Sequence, residues 1–162
     1  MKRFLLVAIL AVAGFAAAVA QPRAIGVNIG YGFDVSYQHT LSKDNMLDLS
    51  VNLPGFNGIG ATCTYDWINP FNTAIPWNNK GEWNWNLGVG GGLGIYRFHY
   101  PAFFVGAVGH VGVSYDFWFP LQLSLDYRPN IGIVYDKHTD NTPLGFNGNG
   151  FLGITLGVRY LF

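Results

Sequence analysis

The chain has 162 residues, with nine Lys and Arg, nine Asp and Glu, and a formal net charge of zero at pH 7. Half of its residues are hydrophobic, 17% are aromatic and only 11% are charged, which excludes intrinsic disorder, because disordered chains have high charge and few aromatic residues. Nor is there the basic excess of a nucleic-acid-binding protein, and a single Cys excludes a disulfide scaffold and a cysteine-based zinc site.

The first twenty residues have the pattern of a secretory signal peptide. A basic segment over 1–3 precedes an apolar stretch over 4–19, and Ala18-Val19-Ala20 forms a small-x-small cleavage site before Gln21. The sixteen residues of the apolar stretch are fewer than the roughly 20 that a membrane-spanning helix needs. We therefore predict a signal peptide over 1–20, cleaved after Ala20, and one β-barrel domain over 21–162.

Beyond residue 21, large apolar residues alternate with small or polar ones, and no segment shows a helical repeat of comparable length. Alternation with a period of two predicts strands that have one apolar face. The alternating segments, in chain order, are 24–41, 47–53, 59–67, 83–90, 103–115, 121–128 and 152–162.

The composition of the second face indicates where these strands lie. It is mostly Gly, Ser, Thr and Asn with very few Lys, so it is too weakly charged for the exterior of a soluble protein. It suits the interior of a narrow barrel whose apolar face meets lipid. Aromatic residues near strand ends suit the two membrane–water interfaces, and the predicted interface residues are Trp67, Trp83, Trp85 and Trp118.

Length then predicts the number of strands. A membrane-spanning strand needs about 9–11 residues, so eight strands use about 80 residues, whereas ten would leave too few for the turns. An even number also keeps both termini on one side. The predicted fold is all-β: a closed, antiparallel, up-and-down transmembrane β-barrel of eight strands that follows the signal peptide.

Seven alternating segments must supply these eight strands, so one segment has to fold back on itself. One candidate is 24–41, turning near 31–33, and the other is 120–136, turning near 128–130. The second candidate is slightly favoured for two reasons. It places the long connections 68–81 and 137–149 on the same side of the barrel, and it takes Pro129 out of a strand interior. Either turn preserves the alternation, so both candidates stay open.

The carboxyl terminus carries a family resemblance. Val158, Tyr160 and the terminal Phe162 alternate in a manner that resembles the signal recognised by the outer-membrane barrel insertion machinery. With the signal peptide and the length, the chain resembles the small OmpA/OmpX-type outer-membrane barrels, and segments 37–39, 119–129 and 158–162 resemble a Bacteroidota branch. The resemblance implies a monomer in the outer membrane of a Gram-negative bacterium, with lipid and the insertion machinery as its partners.

Ionisable residues on the predicted inner face suggest a polar network. Charges inside a narrow barrel must be paired, because an isolated buried charge is costly. The alternative is a gate across a conducting lumen, in which Arg128 or Arg159 switches partners. The residues predicted to form the network are Asp66, Glu82, His110, Asp126, Arg128 and Arg159.

Patterns of catalysis and of cofactor binding are weak in this chain. No zinc-ligand spacing surrounds His110, and the glycines over 88–94 lack the Gly-Lys-Ser/Thr of a phosphate loop. His110, Ser114 and Asp116 share a face, but no Gly-x-Ser-x-Gly accompanies them. We therefore predict no enzyme activity, no metal and no cofactor.

The predicted function is that of an integral outer-membrane barrel with a structural or surface-interaction role. The alternatives are a narrow pore for ions or small solutes and, less favoured, a lipid-modifying enzyme, because the resemblance is not specific for activity.

Overall fold

A computed structural model describes residues 22–71, 80–96, 102–136, 144–146 and 153–162. The predicted signal peptide and its cleavage site lie outside these ranges. Within them, no helix is long and apolar enough to cross a membrane. The strands are β1 (Pro22–Ile29), β2 (Gly32–Ser42), β3 (Asn45–Pro54), β4 (Gly58–Pro70), β5 (Gly81–Tyr96), β6 (Ala102–Phe117), β7 (Leu121–Tyr127), β8 (Asn130–Asp136), β9 (Leu144–Phe146) and β10 (Ile154–Leu161).

These strands form one closed antiparallel barrel. From β1 to β6, each strand pairs with the next one in the chain. Strands β7 and β8 lie end to end along β6, while β10 pairs with β7 and β9 with β8. The pairing of β1 with β10 closes the ring. The ten described segments therefore occupy eight positions around an up-and-down barrel, which confirms the predicted strand number and topology.

The extra hairpin lies at the start of the chain. Ile29 pairs with Phe33 across a short turn, so segment 24–41 folds back and the preference for a turn near 128–130 is wrong. Pro129 lacks an amide hydrogen, but its carbonyl accepts a hydrogen bond from the Gly109 amide at 2.8 Å. Because the Pro129 carbonyl stays paired, the pairing along β6 is interrupted for only two residues. The chain therefore continues from β7 into β8 without reversing.

This hairpin fixes which strands meet at each end of the barrel. We call the end that holds Arg23 and Phe162 the terminal end and the other the far end. Because successive strands reverse direction, β4 ends and β5 begins at the terminal end, whereas β8 ends and β9 begins at the far end. The expectation that connections 68–81 and 137–149 lie on the same side is therefore wrong.

The two faces of the wall have opposite chemistry. Val89, Leu93 and Leu156 point outward and are 58%, 64% and 65% exposed, whereas the side chains of Asp66 and His110 are fully buried inside the barrel. Most proteins bury their large apolar residues and expose their charged ones. This barrel reverses that arrangement, as the sequence alternation predicts.

Adjacent glycines in β5 offer a test of how tightly the wall is packed. A Cβ added to Gly90 would lie 2.7 Å from Thr64 Cα and closer still to the Cys63 carbonyl oxygen, whereas at Gly91 its nearest neighbour would be 3.6 Å away. We expect Gly90→Ala to lower the free energy of unfolding by about 1–3 kcal/mol and Gly91→Ala to change it by less than about 0.5 kcal/mol. Urea unfolding followed by tryptophan fluorescence measures both, and equal stability of the two variants would contradict the assigned strand faces.

Candidate functional site: the polar lumen

The guanidinium of Arg159 is buried inside the lumen, with a side chain that is only 1% exposed. Its Nη2 donates hydrogen bonds to Asp126 Oδ2 at 2.7 Å and to Asn28 Oδ1 at 2.9 Å. Its Nε donates to the Ser36 hydroxyl at 2.9 Å. The remaining nitrogen, Nη1, donates to two side chains of β7, Gln122 and Ser124. One side chain on β10 thus joins β1, β2 and β7 across the seam where the barrel closes.

His110 on β6 lies between two carboxylates. Its Nδ1 is 2.8 Å from Asp66 Oδ1 and its Nε2 is 3.3 Å from Asp126 Oδ1. Both nitrogens donate when the ring is an imidazolium, so one residue bridges β4 and β7. Thr64 also donates to Asp66, and Ser124 donates to Asp126. Because Asp126 accepts from both His110 and Arg159, these residues form one unit, which we call the central plug: Asp66, His110, Asp126 and Arg159.

A second ion pair lies farther toward the far end. Arg128 Nη2 is 3.1 Å from Asp48 Oδ1, and Arg128 Nη1 donates to the Ser50 hydroxyl. Gln38 donates to the other oxygen of Asp48 at 3.1 Å. The Asp48 side chain is 1% exposed and that of Arg128 is 11% exposed. This pair crosses the lumen, because Asp48 is on β3 and Arg128 directly follows β7.

A third charge cluster surrounds Asp116 at the terminal end. Arg23 Nη2 lies 3.2 Å from Asp116 Oδ2, and both side chains are partly exposed, at 21% and 18%. Asn84 and Gln122 donate to the same carboxylate at 3.3 Å and 2.7 Å. Gln122 also accepts from Arg159, so this cluster connects directly to the central plug.

The lumen is filled along much of its length. On the terminal side of the central plug, a cavity bounded by Gln38, Asn84 and Ser114 has a volume of about 10 Å³, which is room for about one water molecule. On the far side, a cavity of about 100 Å³ lies beside Arg128. The side chains of the central plug are at most 2% exposed.

The structure brings together five of the six residues predicted for the polar network, in two groups. Asp66, His110, Asp126 and Arg159 form the central plug, and Arg128 forms the separate pair with Asp48. The sixth residue, Glu82, lies at the second position of β5 and is exposed at the terminal end. The predicted network contained only ionisable residues, but neutral side chains at the inward alternate positions also belong to it: Asn28, Ser36, Gln38, Asn86, Gln122 and Ser124.

The predicted interface aromatics all lie close to the terminal end. Trp67, Trp85 and Trp118 are 43%, 39% and 67% exposed. Trp83 is half-buried and packs on Tyr115 with 5.0 Å between ring centroids. Trp67 is near the end of β4, Trp83 and Trp85 are at the start of β5, and Trp118 directly follows β6. The four tryptophans therefore form part of one aromatic band on the outer wall.

The predicted insertion signal lies on the outer face of the closing strand. Val158, Tyr160 and Phe162 are 45%, 53% and 68% exposed, and the rings of Tyr160 and Phe162 are 5.3 Å apart. The Phe162 amide donates to the Arg23 carbonyl at 3.0 Å, so the last residue is held against the start of β1.

The grouping considered as a catalytic triad is not assembled. His110 contacts Asp66, Asp126 and Asn86, and none of its described hydrogen bonds goes to Ser114. Asp116 instead accepts hydrogen bonds from Arg23, Asn84 and Gln122. Among the described residues, no group of three or more His, Cys, Asp or Glu side chains is arranged to hold a metal ion.

Comparison with known proteins leaves the fold as the main guide to function. No family model matches the chain, and no curated protein or solved structure matches it significantly. What is established is an eight-stranded, closed, antiparallel β-barrel with an apolar outer wall and a charged, hydrogen-bonded interior.

Proposed function

We propose that the chain is an integral outer-membrane β-barrel protein with a structural or surface-interaction role. The observation that carries this proposal is the reversed distribution of polarity. An apolar wall on every side of the barrel would leave far more than the few hundred Å² of contiguous apolar surface usual for a soluble monomer. In a bilayer the same wall faces lipid, and the backbone is satisfied because a closed barrel has no free edge.

Two further features support a membrane location. The tryptophans near the terminal end have the position expected of an interfacial aromatic band. β2 and β3 contain 11 and 10 residues, which matches the length of about 9–11 residues that a tilted strand needs to cross the hydrocarbon core. With both termini at the same end, insertion leaves the opposite turns and connections exposed on the other side of the membrane.

The outer membrane of a Gram-negative bacterium is the proposed location. This rests on the predicted signal peptide, cleaved after Ala20, and on the resemblance to OmpA/OmpX-type barrels of the Bacteroidota. Val158, Tyr160 and Phe162 would then contact the barrel insertion machinery. The protein is proposed to be a monomer surrounded by outer-membrane lipid.

A structural role is favoured over conduction because of the central plug. An ion that crosses the barrel would have to displace Arg159 from its five hydrogen-bond acceptors, or move His110 from between its two carboxylates. We therefore expect little conductance in planar bilayers. Well-defined single-channel steps would instead favour the alternative function, a narrow pore.

We also propose that the protein is not an enzyme. The hydrogen bonds of His110 go to a structural network, which supports this proposal. Incubation of the purified protein with lipid A, followed by mass spectrometry, tests it. A change in lipid mass that His110→Ala abolishes would contradict it and favour a lipid-modifying activity.

Heat-modifiable gel mobility is the direct test of the barrel in its membrane. Unheated protein is expected to migrate faster than boiled protein, because a closed barrel resists unfolding by detergent. Cell fractionation should place it in the outer membrane, and extraction should require detergent. A single band that is fully soluble without detergent would contradict the proposal.

A further inference from the structure

A groove crosses the outer wall of the barrel, and we call it the outer groove. It consists of two adjoining hollows with volumes of about 770 Å³ and 620 Å³, which share Val51, Ala61, Leu93 and Val105 and are therefore continuous. Leu93 is the fourth residue from the end of β5 and Val105 is the fourth residue of β6. The outer groove thus lies in the half of the barrel nearer the far end.

Small residues at outward positions form the floor of the outer groove. Ala61 and Cys63 on β4 and Gly91 on β5 line it, and all three are exposed. Larger side chains enclose its two ends, with Tyr37 at one and Tyr135 at the other. The outside of a closed barrel is convex, so the groove exists because large apolar residues are missing from these outward positions.

Gly91 is not required by the packing of the wall. A Cβ added to it would have its nearest neighbour, the Gly106 carbonyl oxygen, at 3.6 Å, which is an ordinary contact. Its φ does not lie in the left-handed region, and β5 pairs with β4 and β6 through Gly91 without a bulge. Glycine weakens a regular strand, and an unforced one often marks a place where a ligand approaches the backbone closely.

The chemistry and the length of the outer groove favour an alkyl chain. None of the described residues that line it is charged. From β2 to β6 it crosses four strand spacings, about 19 Å. One leaflet contributes about 15 Å to a hydrocarbon core of about 30 Å, so the groove is long enough for an extended lipid acyl chain.

A second copy of the barrel fits the outer groove less well. A two-fold interface sets the same patch of both copies against itself. Two grooves would then face each other and leave a gap, whereas tight packing needs a ridge opposite each groove. The shape of the wall therefore favours a narrow chain over a second barrel.

We propose that the outer groove binds one acyl chain of a lipid of the surrounding membrane, extended over the floor formed by Ala61, Cys63 and Gly91. The proposal rests on the proposed membrane location and adds a fixed site to it. One lipid is held at this place, while others exchange freely around the rest of the wall.

The probe is phosphatidylcholine that carries a nitroxide in the middle of one acyl chain, added to the purified full chain in detergent micelles. The nitroxide enhances the relaxation of nearby amide protons, which NMR measures residue by residue. Cys63 and Gly91 should show at least about ten times the enhancement of Ile154 and Leu156, a preference of about 1.4 kcal/mol for the outer groove. Ile154 and Leu156 are outward residues of β10, on the opposite side of the barrel.

Two other outcomes would overturn the proposal in different ways. Equal enhancement on both sides would show general lipid contact over the whole wall, which leaves the membrane location intact and removes only the fixed site. No enhancement on either side would contradict the membrane location as well.

Filling the outer groove tests it directly. Gly91→Leu should leave the heat-modifiable mobility of the folded barrel intact, because a Cβ at Gly91 meets open space, and should lower the enhancement at Cys63 to the level of the opposite wall. Val89→Leu, an outward change on the same strand outside the groove, should leave that enhancement unchanged. If Gly91→Leu does not fold, Ala61→Leu fills the same floor and has the same expected effect.

These variants also distinguish a lipid from a second copy. Unchanged enhancement at Cys63 in a folded Gly91→Leu or Ala61→Leu variant would overturn the proposal. If the unsubstituted protein sediments as a dimer and Gly91→Leu converts it into a monomer, the occupant is a second copy and the proposal is wrong.

Discussion

Replacing Arg159 with alanine is expected to lower the free energy of unfolding by about 3–5 kcal/mol, the usual cost of removing one partner of a buried ion pair. The substitution removes all five hydrogen bonds of the guanidinium and leaves Asp126 with His110 as its remaining ionic partner. It also removes the side chain that joins β10 to β1, β2 and β7. The fall is measured by urea unfolding in detergent micelles, or as a lower midpoint for the loss of heat-modifiable mobility.

Arg23→Ala is the matched control for this prediction. Arg23 also forms an ion pair, with Asp116, but its side chain is 21% exposed, and exposed ion pairs contribute about 0–1 kcal/mol. The two substitutions remove the same side chain at different depths, so the difference between them measures the effect of burial. An unchanged midpoint for Arg159→Ala together with altered conductance would contradict the structural role and favour a gate.

The alternation of residues predicted the barrel and the inner face well, because a period of two has a direct geometric meaning in a strand. It could not predict depth along the barrel axis. Glu82 has the same parity as Asp66 and His110, yet it lies at the terminal end and is exposed. Parity decides which face a side chain occupies, whereas depth depends on where each strand begins and on its pairing register.

Pairs of residues that interact across the lumen could not be predicted from the sequence either. Asp126 and Arg128 lie two residues apart on one face, yet Asp126 pairs with Arg159 and Arg128 pairs with Asp48. Residues i and i+2 point in parallel from one strand, so long side chains reach more easily to the opposite wall. Such contacts join residues that are far apart in sequence, and composition carries no signal for them.

The error over the extra hairpin has a related cause. Rules on proline and on loop length both favoured a reversal near Pro129, but each is a tendency that one local arrangement can satisfy in another way. Here the Pro129 carbonyl is paired with the Gly109 amide, so the strand continues through Pro129 with little loss of backbone hydrogen bonding. The sequence does contain a competing turn signal, Gly30-Tyr31-Gly32, whose glycines suit a tight reversal.

A second large effect is expected from His110→Ala, because the imidazole of His110 contacts the carboxylates of both Asp66 and Asp126. Both carboxylates are buried to within 2% of full coverage. Removal of the imidazole leaves Asp66 with hydrogen bonds from the neutral groups of Thr64 and Asn86 alone. The expected loss in the free energy of unfolding is about 3–5 kcal/mol, the usual cost of an uncompensated buried charge.

Adding Asp66→Asn to His110→Ala distinguishes lost charge pairing from lost packing. The double variant removes the uncompensated charge but keeps the cavity left by the imidazole, so it should be more stable than His110→Ala alone by about 1–3 kcal/mol, the usual penalty of leaving a buried polar group unsatisfied. In the presence of His110, the same Asp66→Asn change should destabilise the barrel, because it removes a carboxylate that is hydrogen-bonded to His110. If Asp66→Asn has the same effect in both backgrounds, the two residues are not coupled. The role of His110 would then be to fill space, and the central plug would depend on Arg159 for its electrostatic stability.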